Sequence, residues 1–184
     1  TCHSELWGLA DGLPVSVGLE GEGPTGPGRD GPNKTTRNAQ TIWNVAFKAE
    51  LFWDGRVSSL EEQALEPLKA EHELAIDPEV AAANVRATPA YRPYFEQAFP
   101  GEDEPIHPAN IARALAAFER SMVSDFAPYD HYVAGDTGAL SEASLKGMEL
   151  FAEAGCSGCH TPPLFDSDQY AARRPGSDIG RMKV

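Results

Sequence analysis

Basic side chains and long apolar runs are both scarce in this chain of 184 residues. Lys and Arg number 15 against 28 Asp and Glu, which gives a formal charge of −13. Nucleic acid is therefore not expected as a partner, because binding to phosphates needs a surplus of positive charge. A membrane-spanning helix needs about 18 consecutive apolar residues. The most apolar early stretch, Leu6 to Leu19, is interrupted by Asp11, Gly12 and Pro14, so we expect no membrane span in this part of the chain.

Strand patterns are missing as well, since no useful run alternates polar and apolar residues. Helix signals are frequent. Ser59 followed by Glu62 has the spacing of a capping box and predicts a helix to about Leu68. Further helices are predicted at residues 78–87, 89–99, 108–125 and from Ser141 onward. The clearest is 108–125, whose predicted core face is formed by Ile111, Leu115, Phe118 and Met122. The sequence predicts an all-α fold.

Only three cysteines are present, too few for a disulfide-rich secreted scaffold. Two of them form the motif C-x-x-C-H at residues 156–160, which attaches a c-type haem. Zinc is disfavoured because it needs four ligands and no second C-x-x-C pair exists. A redox dithiol is disfavoured because the preceding segment is predicted to be helical. We expect a covalent haem on Cys156 and Cys159, with its iron bound by His160.

The chain begins with Thr1-Cys2-His3, which reads as the last three residues of a second haem motif. Its first cysteine would lie two residues before Thr1, and we therefore expect the sequence to be a piece of a longer protein, cut at both ends. A Cys–His pair alone is a weak signal. The following segment, Gly8 to Lys34, is rich in Gly and Pro and must be a long loop. It is either a cover over the cofactor or a flexible segment.

Several further motifs occur in a characteristic order, and together they resemble the di-haem cytochrome c peroxidase / MauG family. They are the segments 37–41, 51–56, 59–64 and 147–151, and the haem motif with residues 161–165 behind it. The resemblance implies two cytochrome c-like domains, each with one covalent haem, in the bacterial periplasm. Residues 1–130 would form the N-terminal peroxidatic domain and residues 131–184 the start of the electron-transfer domain. The stretch 127–138 is the predicted linker.

The resemblance also implies roles for single residues. In the family, the first haem reacts with hydrogen peroxide and the second stores or relays electrons. Glu73 is then the acid–base group, Gln63 orients peroxide or a distal water, and Trp53 carries electrons between the haems. Without the resemblance, Glu73 reads as a solvated charge among other glutamates. Trp53 reads as a buried aromatic anchor, the interpretation we prefer for Trp7 and Trp43.

Metal ligands follow from the same resemblance. His3 and His160 would bind the two haem irons, and a carbonyl oxygen of Asn38 would bind calcium, with the family's other calcium ligands beyond Val184. Gln40 stands where the family usually has proline. Many relatives cap the first iron with a histidine from the loop after that haem. This chain has no histidine between His3 and His72, which predicts a MauG-like first haem without a strong sixth protein ligand.

Two other residues enter this interpretation. His72 is expected to have a hydrogen-bonding or surface role beside Glu73. Met182 lies too close to His160 in sequence to serve as the family's second-haem ligand and is left unassigned.

The function implied is a peroxidase-type oxidoreductase with hydrogen peroxide as its oxidant. Its electron donor would be a small cytochrome c or cupredoxin, steered by the acidic surface. In a MauG-like variant, the enzyme would instead oxidise a partner protein. The alternative is a di-haem electron carrier without catalysis, which would have no use for the pair formed by Glu73 and Gln63.

Overall fold

The computed structural model describes residues 2–166 of the chain, and this part is helical. Its α-helices are α1 (Leu60–Lys69), α2 (Pro78–Arg86), α3 (Arg92–Ala98), α4 (Pro108–Ser121), α5 (Pro128–Val133) and α6 (Glu142–Glu153). Short 3₁₀ turns lie at Glu5–Trp7, Val45–Phe47 and Cys156–Gly158. Within residues 2–166 only isolated β-bridges form, and no strand. The predicted all-α class is confirmed. None of the described helices has the length and apolarity that crossing a bilayer requires.

The helices begin where their sequence signals place them. The Ser59 hydroxyl accepts a hydrogen bond of 3.2 Å from the Glu62 amide at the start of α1, which satisfies one of the free amides of the first turn. α2 and α4 each carry proline in the first turn, as predicted. Helix ends are less accurate: α4 stops at Ser121 instead of Asp125, and the helix predicted from Pro89 begins at Arg92.

The main core lies where α1 packs along α4. Val45, Leu51, Leu60 and Ala116 form a buried cluster, with Ile42 and Val57 packed against it. The predicted core face of α4 is wrong, because Leu115 and Phe118 are 43% and 54% exposed. The helix instead buries Ala112 and Ala116, together with Asn110. Two alanines on one face allow close approach to α1, which a Leu and Phe face would not.

Truncation of Leu60 tests this core. We expect Leu60→Ala to lower the free energy of unfolding by about 2–5 kcal/mol, because the side chain is almost fully buried and leaves a cavity. Val80→Ala is the control, since Val80 is half-exposed on α2 and should change stability by less than about 1 kcal/mol. Denaturant unfolding of the haem-loaded protein measures both. Equal losses for the two variants would contradict the assignment of the core.

The Gly- and Pro-rich segment is irregular, as predicted, but it is held by its own backbone. Glu22 and Asp30 exchange two main-chain hydrogen bonds of 2.8 and 3.1 Å, and the Gly18 amide donates to the Asn33 carbonyl at 2.9 Å. The Trp7 indole N–H donates to the Thr25 carbonyl at 3.3 Å. Of the two predicted alternatives, these bonds favour the ordered cover and disfavour the flexible segment.

The predicted linker 127–138 is partly helical, because α5 occupies Pro128–Val133. The Asp130 carboxylate accepts a hydrogen bond from the Ala127 amide at 2.9 Å and so closes the first turn. Tyr129 on this helix packs edge to face against Phe165, with ring centroids 4.9 Å apart. The stretch thus contains a short helix, and its role as a linker between domains stays a prediction.

Candidate haem and peroxide site

The motif C-x-x-C-H folds into a single turn. Gly155 precedes it at φ 78°, a conformation that glycine adopts without strain. The His160 amide donates to the Cys156 carbonyl at 2.9 Å, so the backbone coils back on itself between the first cysteine and the histidine. Cys156 and Cys159 form no disulfide in this turn. The turn presents two thiols and an imidazole together, as covalent haem attachment requires.

A hydrogen bond at one ring nitrogen orients the imidazole of His160. Its Nδ1 lies 2.9 Å from the carbonyl oxygen of Phe165. Phe165 has φ 53°, and a bridge between Thr161 and Asp166 closes the loop around it. The Phe151 ring packs 6.1 Å from the imidazole centroid. The Nδ1 contact leaves Nε2 as the nitrogen for iron.

His3 repeats this arrangement at the other end of the chain. Its Nδ1 lies 2.9 Å from the carbonyl oxygen of Leu9. Leu9 also has a positive φ of 58°, and a bridge between Ser4 and Ala10 closes this loop. Metal-binding histidines are usually oriented by a hydrogen bond from their second nitrogen. The two loops therefore fit two haem irons, held by His3 beside Cys2 and by His160 with Cys156 and Cys159.

Glu73 lies in a turn that folds back on the end of α1. The Glu73 amide donates to the Ala70 carbonyl at 2.9 Å, and the Leu74 amide to the Pro67 carbonyl at 3.2 Å. The side chain is half-buried, and this burial raises the pKa of the Glu73 carboxyl, while the interactions with Arg56 and His3 act to lower it. The structure therefore brings Glu73 into the electrostatic environment of the first haem histidine.

The other residues singled out from the sequence lie in different places. Gln63 is partly buried on α1, the helix whose end forms the Glu73 turn. His72 is exposed, which agrees with a surface role. Met182 lies outside the described residues. The fold thus places Gln63 and Glu73 on one continuous structural unit, and His72 on its outer side.

Trp53 lies on a turn clamped to the segment that precedes it in sequence. Its indole N–H donates to the Asn38 carbonyl at 3.1 Å. The Asp54 carboxylate binds Arg56 at 2.9 Å and Arg37 at 3.3 Å. Partial burial acts to raise the pKa of Asp54, but hydrogen bonds and charge from the two arginines outweigh it and hold the pKa below its ordinary value. The predicted calcium residue and the predicted electron relay are therefore in direct contact.

Sequence reasoning missed the arginines around this turn and misjudged two tryptophans. Arg56 stacks on Phe52 with its guanidinium carbon 3.5 Å from the ring centroid. The opposite charges of Asp54 and Arg56, two positions apart, could have predicted an ion pair in this turn. Trp7 and Trp43 are 40% and 41% exposed, so the prediction of buried anchors is wrong. Trp43 lines a groove formed with residues 161–166, next to the second haem loop.

The predicted calcium site has no ready-made side-chain cluster in the described part of the chain. Between residues 2 and 166, no group of three or more His, Cys, Asp or Glu side chains is arranged to hold a metal ion. Asn38 offers neutral amide and main-chain oxygens, a type of ligand that calcium accepts. Its main-chain oxygen already accepts the Trp53 hydrogen bond. Asn38 would therefore be one ligand among others supplied from elsewhere.

Two histidine loops of one design on a helical scaffold are the features of a c-type cytochrome. Residues 1–138 match the sequence model of the family described as di-haem cytochrome c peroxidase. The chain belongs to this family, which confirms the resemblance drawn from the motifs, and membership implies c-type haems.

Named relatives agree with this assignment. The chain is 36% identical to the methylamine utilization protein MauG of Methylorubrum extorquens, with 100% of this chain and 49% of that protein aligned. It is also 36% identical to the cytochrome c551 peroxidase of Pseudomonas aeruginosa, with 100% and 53% aligned. A crystal structure of a MauG-like protein associated with microbial copper homeostasis superimposes with a TM-score of 0.74 at 32% identity, covering 91% of this chain and 48% of that one. The chain thus spans about half the length of these relatives.

Proposed function

We propose that the protein containing this chain is a di-haem peroxidase that reduces hydrogen peroxide at its first haem. The observation that carries the proposal is the half-buried carboxyl of Glu73, whose main chain packs against the loop that follows His3. A pure electron carrier needs no acid–base group beside its iron. Related proteins named as cytochrome c peroxidases support the same reaction class.

Each residue has a distinct part in this reaction. Cys2 and His3 hold the first haem, and Cys156, Cys159 and His160 hold the second. Haem supplies an iron that exchanges electrons with peroxide. Reduction of one peroxide to two waters consumes two electrons and two protons. Glu73 accepts a proton from one peroxide oxygen and returns it to the other as the O–O bond breaks, while the Gln63 amide orients peroxide or a nearby water.

Electron supply is assigned to the second haem through Trp53. An indole is large and oxidisable, and the hydrogen bond to the Asn38 carbonyl holds this one in a fixed orientation. We assign the two haems to two cytochrome c-like domains. The contact of Tyr129 with Phe165 supports drawing their boundary at the start of α5, slightly before the predicted division at residue 130. Calcium bound by Asn38 would stiffen the Trp53 turn.

Partners and location follow from the same reading. Covalent haem attachment agrees with a periplasmic protein. The charge of −13 favours a basic or dipolar electron donor, such as a small cytochrome c or cupredoxin. Oxidation of a partner protein, as a MauG-like activity, is the variant favoured by the absence of histidine between His3 and His72.

The resting ferric spectrum tests the open first site. We expect one high-spin and one low-spin haem in the full-length protein, because the loop after His3 offers neither His nor Met as a sixth ligand. Electron paramagnetic resonance and electronic absorption separate the two. Adding peroxide to the oxidised protein should change the high-spin signal first. Two low-spin haems that do not respond to peroxide would instead identify an electron carrier.

A further inference from the structure

The Gly- and Pro-rich loop that follows the first haem motif contacts the backbone of Glu73 directly. The contact is made at Gly18. A Cβ atom built on this glycine would overlap the His72 carbonyl oxygen and lie 2.8 Å from the Glu73 Cα. Both are main-chain atoms, so no flexible side chain can move aside. Gly18 does not have a positive φ, and only the lack of space therefore requires glycine here.

The loop is braced on its far side. The Gly18 amide donates to the Asn33 carbonyl at 2.9 Å, and the Asn33 side-chain amide donates to the Leu19 carbonyl at 3.1 Å. Trp7, four residues after His3, supports the same loop through its bond to the Thr25 carbonyl. Its indole lies so close to Gly26 that a Cβ there would overlap the ring. Loop movements near Gly18 are therefore tied to the segment carrying the haem histidine.

Glu73 is braced from the opposite direction by α1. Main-chain bonds connect its turn to Ala70 and Pro67, and the Ile76 amide donates to the Leu68 carbonyl at 2.7 Å. The backbone at residues 72–73 is thus held between the end of a helix and the loop. An inward shift of the loop at Gly18 would therefore push against the main chain of residues 72–73, because only the missing Cβ leaves room for the contact.

We propose that Gly18 is a positioning residue for the acid–base chemistry of Glu73, with the loop serving as a wall that seats the carboxyl beside the first haem. The inference rests on the proposed function of Glu73. It gives the loop a role beyond covering the cofactor, because the missing Cβ lets the loop approach the Glu73 backbone and shield its side chain. Three groups act on the pKa of that carboxyl: Arg56 and His3 lower it, and Glu66 raises it.

The experiment adds one methyl group at the contact in the full-length, haem-loaded protein. Gly18→Ala should push residues 72–73 outward and lower kcat/KM for peroxide by about 10- to 100-fold, as small displacements of catalytic groups do. The carboxyl becomes more exposed, so its titration should move to lower pH. Infrared difference spectroscopy follows the carboxyl band, which is identified by its loss in Glu73→Gln. Gly138→Ala is the control, because the same added methyl group would have the Asp136 Oδ1 atom, 3.4 Å away, as its nearest neighbour.

A double-mutant cycle separates this inference from the proposed function. If Glu73 acts as assigned, Glu73→Gln lowers turnover, and adding Gly18→Ala to it should cause little further loss. A full further loss would overturn the role of Gly18 while leaving that of Glu73 intact. No effect of Glu73→Gln by itself would overturn the proposed function instead.

A second variant guards against misfolding. Asn33→Ala removes the side-chain hydrogen bond to the Leu19 carbonyl without adding atoms, so it loosens the loop beside Gly18. We expect the same lowering of the carboxyl titration as in Gly18→Ala, but smaller. If Gly18→Ala fails to take up haem, the Asn33→Ala variant alone tests whether the loop positions Glu73. An unchanged carboxyl titration and unchanged peroxide kinetics in the folded variants would show that the loop does not position Glu73.

Discussion

Peroxide turnover should fall by about 10²- to 10⁴-fold when Glu73 is replaced by glutamine, the range that general acid–base groups contribute. Glutamine keeps nearly the same shape but cannot accept a proton and return it. The variant should still bind both haems, because Glu73 lies outside both attachment loops. Steady-state peroxide reduction measures the loss, and the haem content of the full-length protein measures retention.

The pH profile of the wild-type enzyme should carry the signature of the same carboxyl. As a base it works in the deprotonated form, so the rate rises as pH increases through its pKa. Burial raises the pKa of Glu73, partly offset by Arg56 and His3, and the acid limb should therefore lie above the ordinary carboxyl range. In Glu73→Gln this limb should disappear from the residual activity.

The neighbouring Glu71 provides the matched control. It is exposed, two residues before Glu73 in the same turn. Glu71→Gln removes the same charge from the same segment, so it reports the general effect of a less acidic surface. We expect near wild-type turnover. If the two variants lose activity equally, Glu73 acts through surface charge and has no role in proton transfer.

Local signals in the sequence predicted local structure well. The N-cap at Ser59, the prolines of α2 and α4 and the C-x-x-C-H turn each depend on residues a few positions apart, and the structure contains them all. The face of α4 was predicted wrongly because periodicity identifies an apolar stripe without showing which neighbour faces it. Here Ala116 packs with Leu60 of α1, a choice that depends on a residue more than 50 positions away.

The candidate site shows the same division. His3 and His160 were predicted from their adjacent cysteines, while their carbonyl partners depend on loop closure several residues later. Glu73 among its neighbouring glutamates has no pattern of its own, and only family resemblance singled it out. Its contact with Gly18 joins segments 55 residues apart. No periodicity or motif in a single sequence encodes such a contact.

In Trp53→Phe, electron transfer from the second haem should become the step that limits the rate of turnover. Phenylalanine keeps an aromatic ring on the turn but is much harder to oxidise than indole. It also loses the hydrogen bond to the Asn38 carbonyl, a bond worth about 0.5–1.5 kcal/mol to folding, so the protein should still fold. Stopped-flow absorbance measures the rate at which the reduced second haem is reoxidised after peroxide is added. In the variant this haem should be reoxidised more slowly, in step with a slower consumption of peroxide.

Trp43→Phe is the decisive comparison because the structure offers Trp43 as a rival. Trp43 lines the groove beside residues 161–166, which form the loop of the second haem histidine, and Lys48 on the same side binds Asp166 at 2.5 Å. A relay through Trp53 predicts normal reoxidation in Trp43→Phe and slow reoxidation in Trp53→Phe. The reverse result would move the relay to Trp43. The ion pairs of Asp54 with the two arginines would then have a structural role only. A fixed Trp53 turn matters to electron transfer only if electrons pass through the indole of Trp53.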